Sequence, residues 1–237
     1  MYLDEVVSYF RLIADEPDKT FLPDSAIIPL LKVAYAKYHR LITDTYDKAY
    51  LTFWDITNPA QTTDLTTAPN NLMLPNSTTY ANNNRRLVRL NDVSSITTDG
   101  TNVTYLYSYD SVQDPVEFSM TGKMCYSLQD KKLIFSNNWS QVAAQTIRLS
   151  YVFYPNIDFT KINTGDQENI DEFDELHDLI ALLMYKQYAI KDVALNAAAE
   201  QQLAIRQQDL KDYFSQGQAF QSVHYVGNEY RRSVGTY

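Results

Sequence analysis

The chain has 237 residues, 45% of them hydrophobic and 21% charged, which is enough apolar matter for a core in one domain or two small ones and too much for a disordered chain. Its net charge is −9, and its basic residues fall in scattered short pairs such as Arg85 and Arg86, Lys131 and Lys132, and Arg231 and Arg232, which argues against dedicated nucleic-acid binding and against an anionic membrane surface. One cysteine, Cys125, excludes an internal disulfide and is expected as a small apolar thiol in a core.

Along the chain, Leu3, Val6, Val7, Phe10 and Ile13 have helical spacing and predict a helix over 2–14 that ends before Glu16-Pro17. Asp24 or Ser25 is placed to cap the next helix, over 25–42, with Pro29 in its first turn. Its apolar stripe, Ile27, Leu31, Ala34, Tyr35, Tyr38 and Ile42, is broad enough to pack against other helices. From about Thr43 to Thr160 the helical period disappears, and short β-branched or aromatic runs alternate with turn residues. Expected strands are 49–56, 85–90, 103–109, 115–120, 124–128, 132–136 and 146–154, with hairpin turns at Asp99-Gly100 and Gln129-Asp130. The Thr-, Asn- and Pro-rich stretch 57–84 reads as a long loop, of the sort that makes contacts.

Helix returns after Gly165. Phe173, Leu176, Leu179, Ile180, Leu183, Met184 and Tyr188 share one face, and Asp171, Glu172, Asp174 and Glu175 complement the dipole at its start. Asp192 is expected to cap a second helix running to Tyr213 or Phe214, with Leu195, Ala199, Leu203, Leu210 and Phe214 on a narrow seam. Its Gln-rich exterior suits either a partner helix or solvent. No pattern supports an autonomous element from Gly217 to Tyr237. Yet Phe220, Val223, Tyr225, Val226, Tyr230 and Tyr237 make it too apolar for a plain tail, and a partner-binding arm is expected. Tyrosine is abundant, at 19 residues beside 10 Phe and 2 Trp, which suits surfaces buried on association and equally suits the decoration of strands.

Little points to chemistry. His39, His177 and His224 lie on three distant segments without metal-ligand spacing, and no metal or cofactor is expected. His177, beside Glu175 and Asp178, reads better as a structural hydrogen-bonder than as a base, and Cys125 has no local nucleophile signature. Neither GxGxxG nor GxxxxGK[ST] occurs among the six glycines. The stretch 166–171 lacks the alternating ligands and central glycine of an EF-hand. The opening residues lack the layout of a signal peptide, and no apolar run reaches the length of a membrane span, so the sequons at Asn76, Asn102 and Asn138 carry little weight.

Residues 145–215 resemble the head-to-tail connector family of tailed bacteriophages, also called adaptor or neck ring proteins. The matching text is TIRLSYVFYPNIDFT at 146–160, then DEFDELHDLIALLMYKQYAIKD at 171–192, then a second helix. The family ends a β region with a Y-x-x-x-P strand, follows it with an acidic loop, and opens a helix near E-F-H-D-L-I. Here the motif is Leu176, His177, Asp178, Leu179 and Ile180, with Phe173 displaced from the histidine. Leu74-Pro75 is similar to the family's Leu-Pro before a strand, and the texture resembles that of the crAss-like phages.

The resemblance implies an α+β fold: a bundle of N- and C-terminal helices (1–48 and 161–216) with a central antiparallel β insertion (49–160) and an extended C-terminal arm (217–237). It implies a ring, usually of twelve copies, in the neck of the virion after assembly in the host cytoplasm. The portal protein and downstream neck or tail proteins would be its partners, and DNA would pass through without specific binding. It carries no active site. Three other readings stand beside it: another neck or tail ring component of the stopper or tail-tube type, a glycan-binding module using exposed aromatics of 49–126, and a hydrolase with scattered carboxylates, for which no pair can be named.

Overall fold

A computed structural model of the protein describes residues 2–16, 22–46, 48–74, 79–96, 103–108, 125–135, 146–162, 164 and 170–233, with backbone alone at 107, 108, 191 and 216–233. Helices and antiparallel sheets make it an α+β protein. The chain divides into two compact units, Met1–Asp47 with Ile157–Tyr237, and Lys48–Asn156.

The first unit is helical. Helix α1, Leu3–Ile13, buries Leu3, Val6, Val7 and Phe10 on one stripe, and Glu5 Oε2 accepts a 2.7 Å hydrogen bond from the Tyr2 N–H at its start. Helix α2, Asp24–Thr45, buries all six residues of its expected stripe. Its N-cap is Pro23, which has no side chain to cap with; the carboxylate of Asp24 is instead 2.9 Å from Arg11 Nη2, tying the end of α1 to the start of α2. Because α2 begins at Asp24, Pro29 lies in the second turn and removes one internal hydrogen bond there, facing the exposed Ser25.

Helix α3, Asp178–Tyr188, is the centre of this unit. Seven consecutive residues, Leu179 to Tyr185, are buried, as expected of a helix enclosed on every side. Helices α1, α2 and α4 (Val193–Ser233) pack against it. Each large apolar side chain so enclosed contributes roughly 1.5–3 kcal/mol. Asp192 caps α4 as expected, its Oδ1 accepting from the N–H groups of Ala194 at 3.0 Å and Leu195 at 3.1 Å. Ala199, Leu203, Leu210 and Phe214 form the buried seam, whereas Leu195 is 43% exposed and lies off it.

The expectation of an extended arm from Gly217 is corrected: the backbone stays helical to Ser233. Gly217 and Gly227 each cost about 1 kcal/mol in a helix interior, and a helix already nucleated over several turns tolerates that. At 41 residues α4 is about 60 Å long, nearly twice the 22-residue α2.

The second unit contains two four-stranded sheets, in the orders β1-β8-β3-β4 and β2-β7-β6-β5. The strands are β1 (Leu51–Thr57), β2 (Thr62–Asp64), β3 (Arg85–Ile96), β4 (Val103–Tyr105), β5 (Tyr107–Ser108), β6 (Cys125–Gln129), β7 (Lys132–Phe135) and β8 (Thr146–Pro155). All pairings are antiparallel, as expected of the insertion, except the two-residue pairing of β5 with β6, which is parallel. Alternation in β8 sends Ile147, Leu149 and Tyr151 into a core shared with Ile56, Leu87 and Val93 of the first sheet and Tyr126, Leu133 and Phe135 of the second. Cys125 is buried.

The stretch 57–84 is not a plain loop. It contributes β2, and Leu65 and Leu72 are fully buried in the core. The hairpin at Gln129-Asp130 is present, with Asp130 and Lys131 at φ 48° and 63°, the paired positive values of a type I′ turn. The expected strand at 115–120 and turn at Asp99-Gly100 lie outside the described residues.

Candidate functional site

The motif residues 176–180 sit where the helical unit closes. The expected helix from Phe173 begins only at Asp178; residues Asp174–Leu176 form a 3-10 turn. The cause is Asp171. Its Oδ1 accepts from the Phe173 N–H at 2.9 Å and lies 2.6 Å from His177 Nε2, an arrangement that folds the acidic segment back on itself instead of letting it coil. The Tyr38 hydroxyl of α2 approaches the same oxygen at 3.5 Å, and its ring meets the His177 ring edge-on at 6.0 Å. His177 is wholly buried, and the Asp171 side chain is 4% exposed. An imidazole with no exposed atom cannot meet a substrate. It acts as the hydrogen-bonded keystone of the turn.

Each remaining motif residue also has a structural task. Leu176, Leu179 and Ile180 are buried in the core. Asp178 receives Arg206 of α4 through two hydrogen bonds, Nε to Oδ2 at 2.7 Å and Nη2 to Oδ1 at 2.8 Å, and Arg206 Nη1 also reaches Asp209 Oδ2 at 3.0 Å. Those carboxylates hold the guanidinium pKa well above its ordinary value, the Asp178 hydrogen bond contributing most. Thus neighbouring motif positions lock the start of α3 inward to α2 and outward to α4. Asp171, Tyr38 and Arg206 were not identified from sequence as parts of this junction. The only signal available was the run of acids before an apolar helix, which has a simpler explanation in the helix dipole.

The second unit presents a different surface. On the outer face of its first sheet, Arg148 forms two 2.7 Å hydrogen bonds to Asp55 and lies over the Phe53 ring at 5.6 Å, and Arg86 lies over Tyr154 at 5.0 Å. Phe53 is 54% exposed and Tyr105, on β4, 68%. On the inner face, Arg85 stacks on Phe153 at 4.5 Å and donates to Thr52 Oγ1 at 3.1 Å. Trp54 is half-buried there, its indole N–H donating to Asn70 Oδ1 at 3.0 Å.

The phenols of β8 titrate late. Burial pushes Tyr151 above its ordinary value, outweighing the hydrogen bond from Asn82 and the charge of Arg85, and pushes Tyr154 to about 12 against the pull of Arg86. Their folded pKa values exceed the unfolded value of about 10, so their contribution is complete below pH 10 and is lost as pH rises through the folded values. The stability of the sheet unit is therefore expected to fall between about pH 10 and about 12. Denaturant unfolding across that range checks it, and the paired Tyr151→Phe and Tyr154→Phe changes should flatten the decline.

Of the residues expected to bind a partner, Phe220, Val223, Tyr225, Val226 and Tyr230 lie along the helical backbone of α4, their side chains outside the described structure, and Tyr237 lies outside the described residues altogether. Among the described residues no group of three or more His, Cys, Asp or Glu is arranged to hold a metal ion, and no helix is long and apolar enough to cross a membrane. Compared with protein-family models and with curated proteins, the chain matches none.

Proposed function

We propose that the protein is a non-catalytic subunit of a ring that joins the portal of a tailed bacteriophage to its tail and continues the DNA channel. The observation that carries this reading is the motif 176–180 at the heart of a helical unit assembled from both ends of the chain, with a sheet unit inserted between them. In this reading the motif residues are architectural, which fits the burial of His177 and the Asp178–Arg206 bridge. The net charge of −9 suits a wall past which DNA must slide without sticking. The partners are further copies of the chain, on the connector pattern twelve, with the portal on one side and neck or tail proteins on the other, all within the virion.

Electron microscopy of the purified protein, alone and mixed with the portal, tests the proposal. Rings or portal-bound collars are the expected result. A monomer that ignores the portal and binds a glycan would overturn it, favouring the sheet aromatics as a ligand platform. A second measurement concerns the C-terminal segment. Removing 217–237 leaves the seam Ala199, Leu203, Leu210 and Phe214 in place, so the fold should survive with unchanged thermal unfolding. Ring or portal association should weaken by roughly tenfold or more, since aromatic anchors dominate interface energies. Unchanged assembly after that truncation would remove the segment from the interface.

A further inference from the structure

The chain's negative charge is unevenly distributed. Residues 48–156 hold eight basic and eight acidic side chains, so the whole excess of −9 lies in the helical unit. The described acids there include the exposed Glu172, Asp174 and Glu175, which lead into α3. The outer face of the first sheet carries a small basic excess, concentrated at Arg86 and Arg89. Register places Arg86, Arg89 and Arg148 on that face, opposite Tyr154, the buried Val152 and Asp55 respectively, and also the exposed Asp92, opposite Ser150, so the face carries three cations against two carboxylates. Asp55 is already held by Arg148. Arg86 and Arg89 are exposed, and among the described residues neither is ion-paired. Tyr154 beneath Arg86 holds that guanidinium in place, and its N–H donors, without a carboxylate partner among the described residues, can engage one. Phe53, Val88 and Tyr105, exposed at 54%, 50% and 68%, supply apolar area on the same sheet.

We propose that this arginine-bearing sheet face docks on the acidic helical unit of a second copy of the chain, with Arg86 and Arg89 engaging Glu172 and Glu175 in trans. The proposal deepens the ring reading and rests on it, since it names the surface through which copies meet. Charge complementarity decides the occupant: the same molecule carries an acidic unit and, on its other unit, two exposed arginines, Arg86 and Arg89, without an ion pair among the described residues. A contact between unlike surfaces is heterologous, and such contacts generate rings when the rotation closes. A nucleic-acid strand is the weaker candidate for the same arginines, because the rest of the chain would repel its phosphates.

Reversing charge on each side tests the proposal. The pair Arg86→Glu with Arg89→Glu makes both surfaces acidic, and the pair Glu172→Lys with Glu175→Lys makes both basic. Each variant alone should associate at least roughly tenfold more weakly than the unaltered chain, while a mixture of the two should regain association, because each then offers the other an opposite charge. Light scattering coupled to size exclusion reads this on the free protein, and copy number per portal reads it where association needs the portal. Association of the unaltered chain should also weaken as salt is raised. All four positions are exposed, and circular dichroism verifies that the folds are retained. If the unaltered chain forms rings and either variant alone does so equally well, the surface is wrong and the ring reading stands. A mixture no better than its components also overturns the surface. If the unaltered chain neither self-associates nor docks on the portal, the ring reading falls with it. Binding of the sheet face to single-stranded DNA in place of a second copy overturns this proposal alone.

Discussion

Replacing His177 by alanine is expected to destabilise the helical unit by about 3–5 kcal/mol, one of the two largest single-residue effects foreseen for this chain. The imidazole is wholly buried and 2.6 Å from a carboxylate that is itself only 4% exposed. Removing the ring takes away the shortest contact of the Asp171 oxygen, which also meets the Phe173 N–H at 2.9 Å and the Tyr38 hydroxyl at 3.5 Å, inside a site closed to water. The ring's volume is also lost beside Tyr38. Asp171→Ala should cost a similar amount, and the double variant much less than the sum, because both changes break the same hydrogen bond. Urea unfolding followed by helical circular dichroism gives the cycle. A cost below about 1 kcal/mol for His177→Ala would mean that the turn is held by something else.

Tyr151→Ala should have a comparable effect on the sheet unit, about 3–5 kcal/mol. Tyr151 is fully buried on the central strand β8, and its hydroxyl accepts from Asn82 Nδ2 at 2.7 Å. That bond matters because Asn82, Asn83 and Asn84 follow one another at φ 56°, 55° and 65°, a left-handed turn that costs roughly 1–2 kcal/mol per residue for most side chains. Asparagine tolerates the region better, and here the turn is fastened further by Asn84 Oδ1, which accepts from the Tyr80 N–H at 2.9 Å. Tyr151→Phe keeps the ring and should cost only about 1 kcal/mol, since Asn82 still donates to the Phe53 carbonyl at 3.1 Å. Guanidinium unfolding monitored by near-ultraviolet dichroism separates the two. Equal costs for Ala and Phe would locate the effect in the hydroxyl and not in the packed ring.

The parts of this fold legible in the sequence are those governed by local period. The stripe from Ile27 to Ile42 is buried as its spacing requires, and strands β1 and β8 lie close to their expected spans, whereas β3 starts at the expected Arg85 and runs on past Leu90 to Ile96. Asp192 could be recognised as a cap because its partners lie two and three residues ahead. What escaped reading depends on distant partners. Asp171 turns inward towards a tyrosine on another helix, and nothing near it in the sequence distinguishes it from a solvated acid at a helix start. Leu65 and Leu72 are isolated apolar residues in a Thr- and Asn-rich stretch, without any alternation to mark them as core. Arg206 resembles any polar residue on a Gln-rich helix until its bridge to Asp178 is seen. Helix α4 continues past the expected end at Tyr213 or Phe214 because the segment after Gly217 has no period of its own to read, whereas cooperativity carries an established helix through it.

The pairing of β1 with β8 brings Leu51 opposite Val152, and the Phe153 N–H donates to the Tyr50 carbonyl at 2.9 Å, so the sheet unit begins and ends on neighbouring strands. An insertion whose entry and exit lie side by side behaves as a cassette. To the helices it is a long loop, and doubling the length of a flexible loop costs only about 0.6 kcal/mol in closure entropy. The sheet unit can therefore be lengthened, trimmed or exchanged for a different one during evolution while the helical chassis and its buried histidine stay fixed. A lineage could in this way change what the protein touches without relearning how it folds.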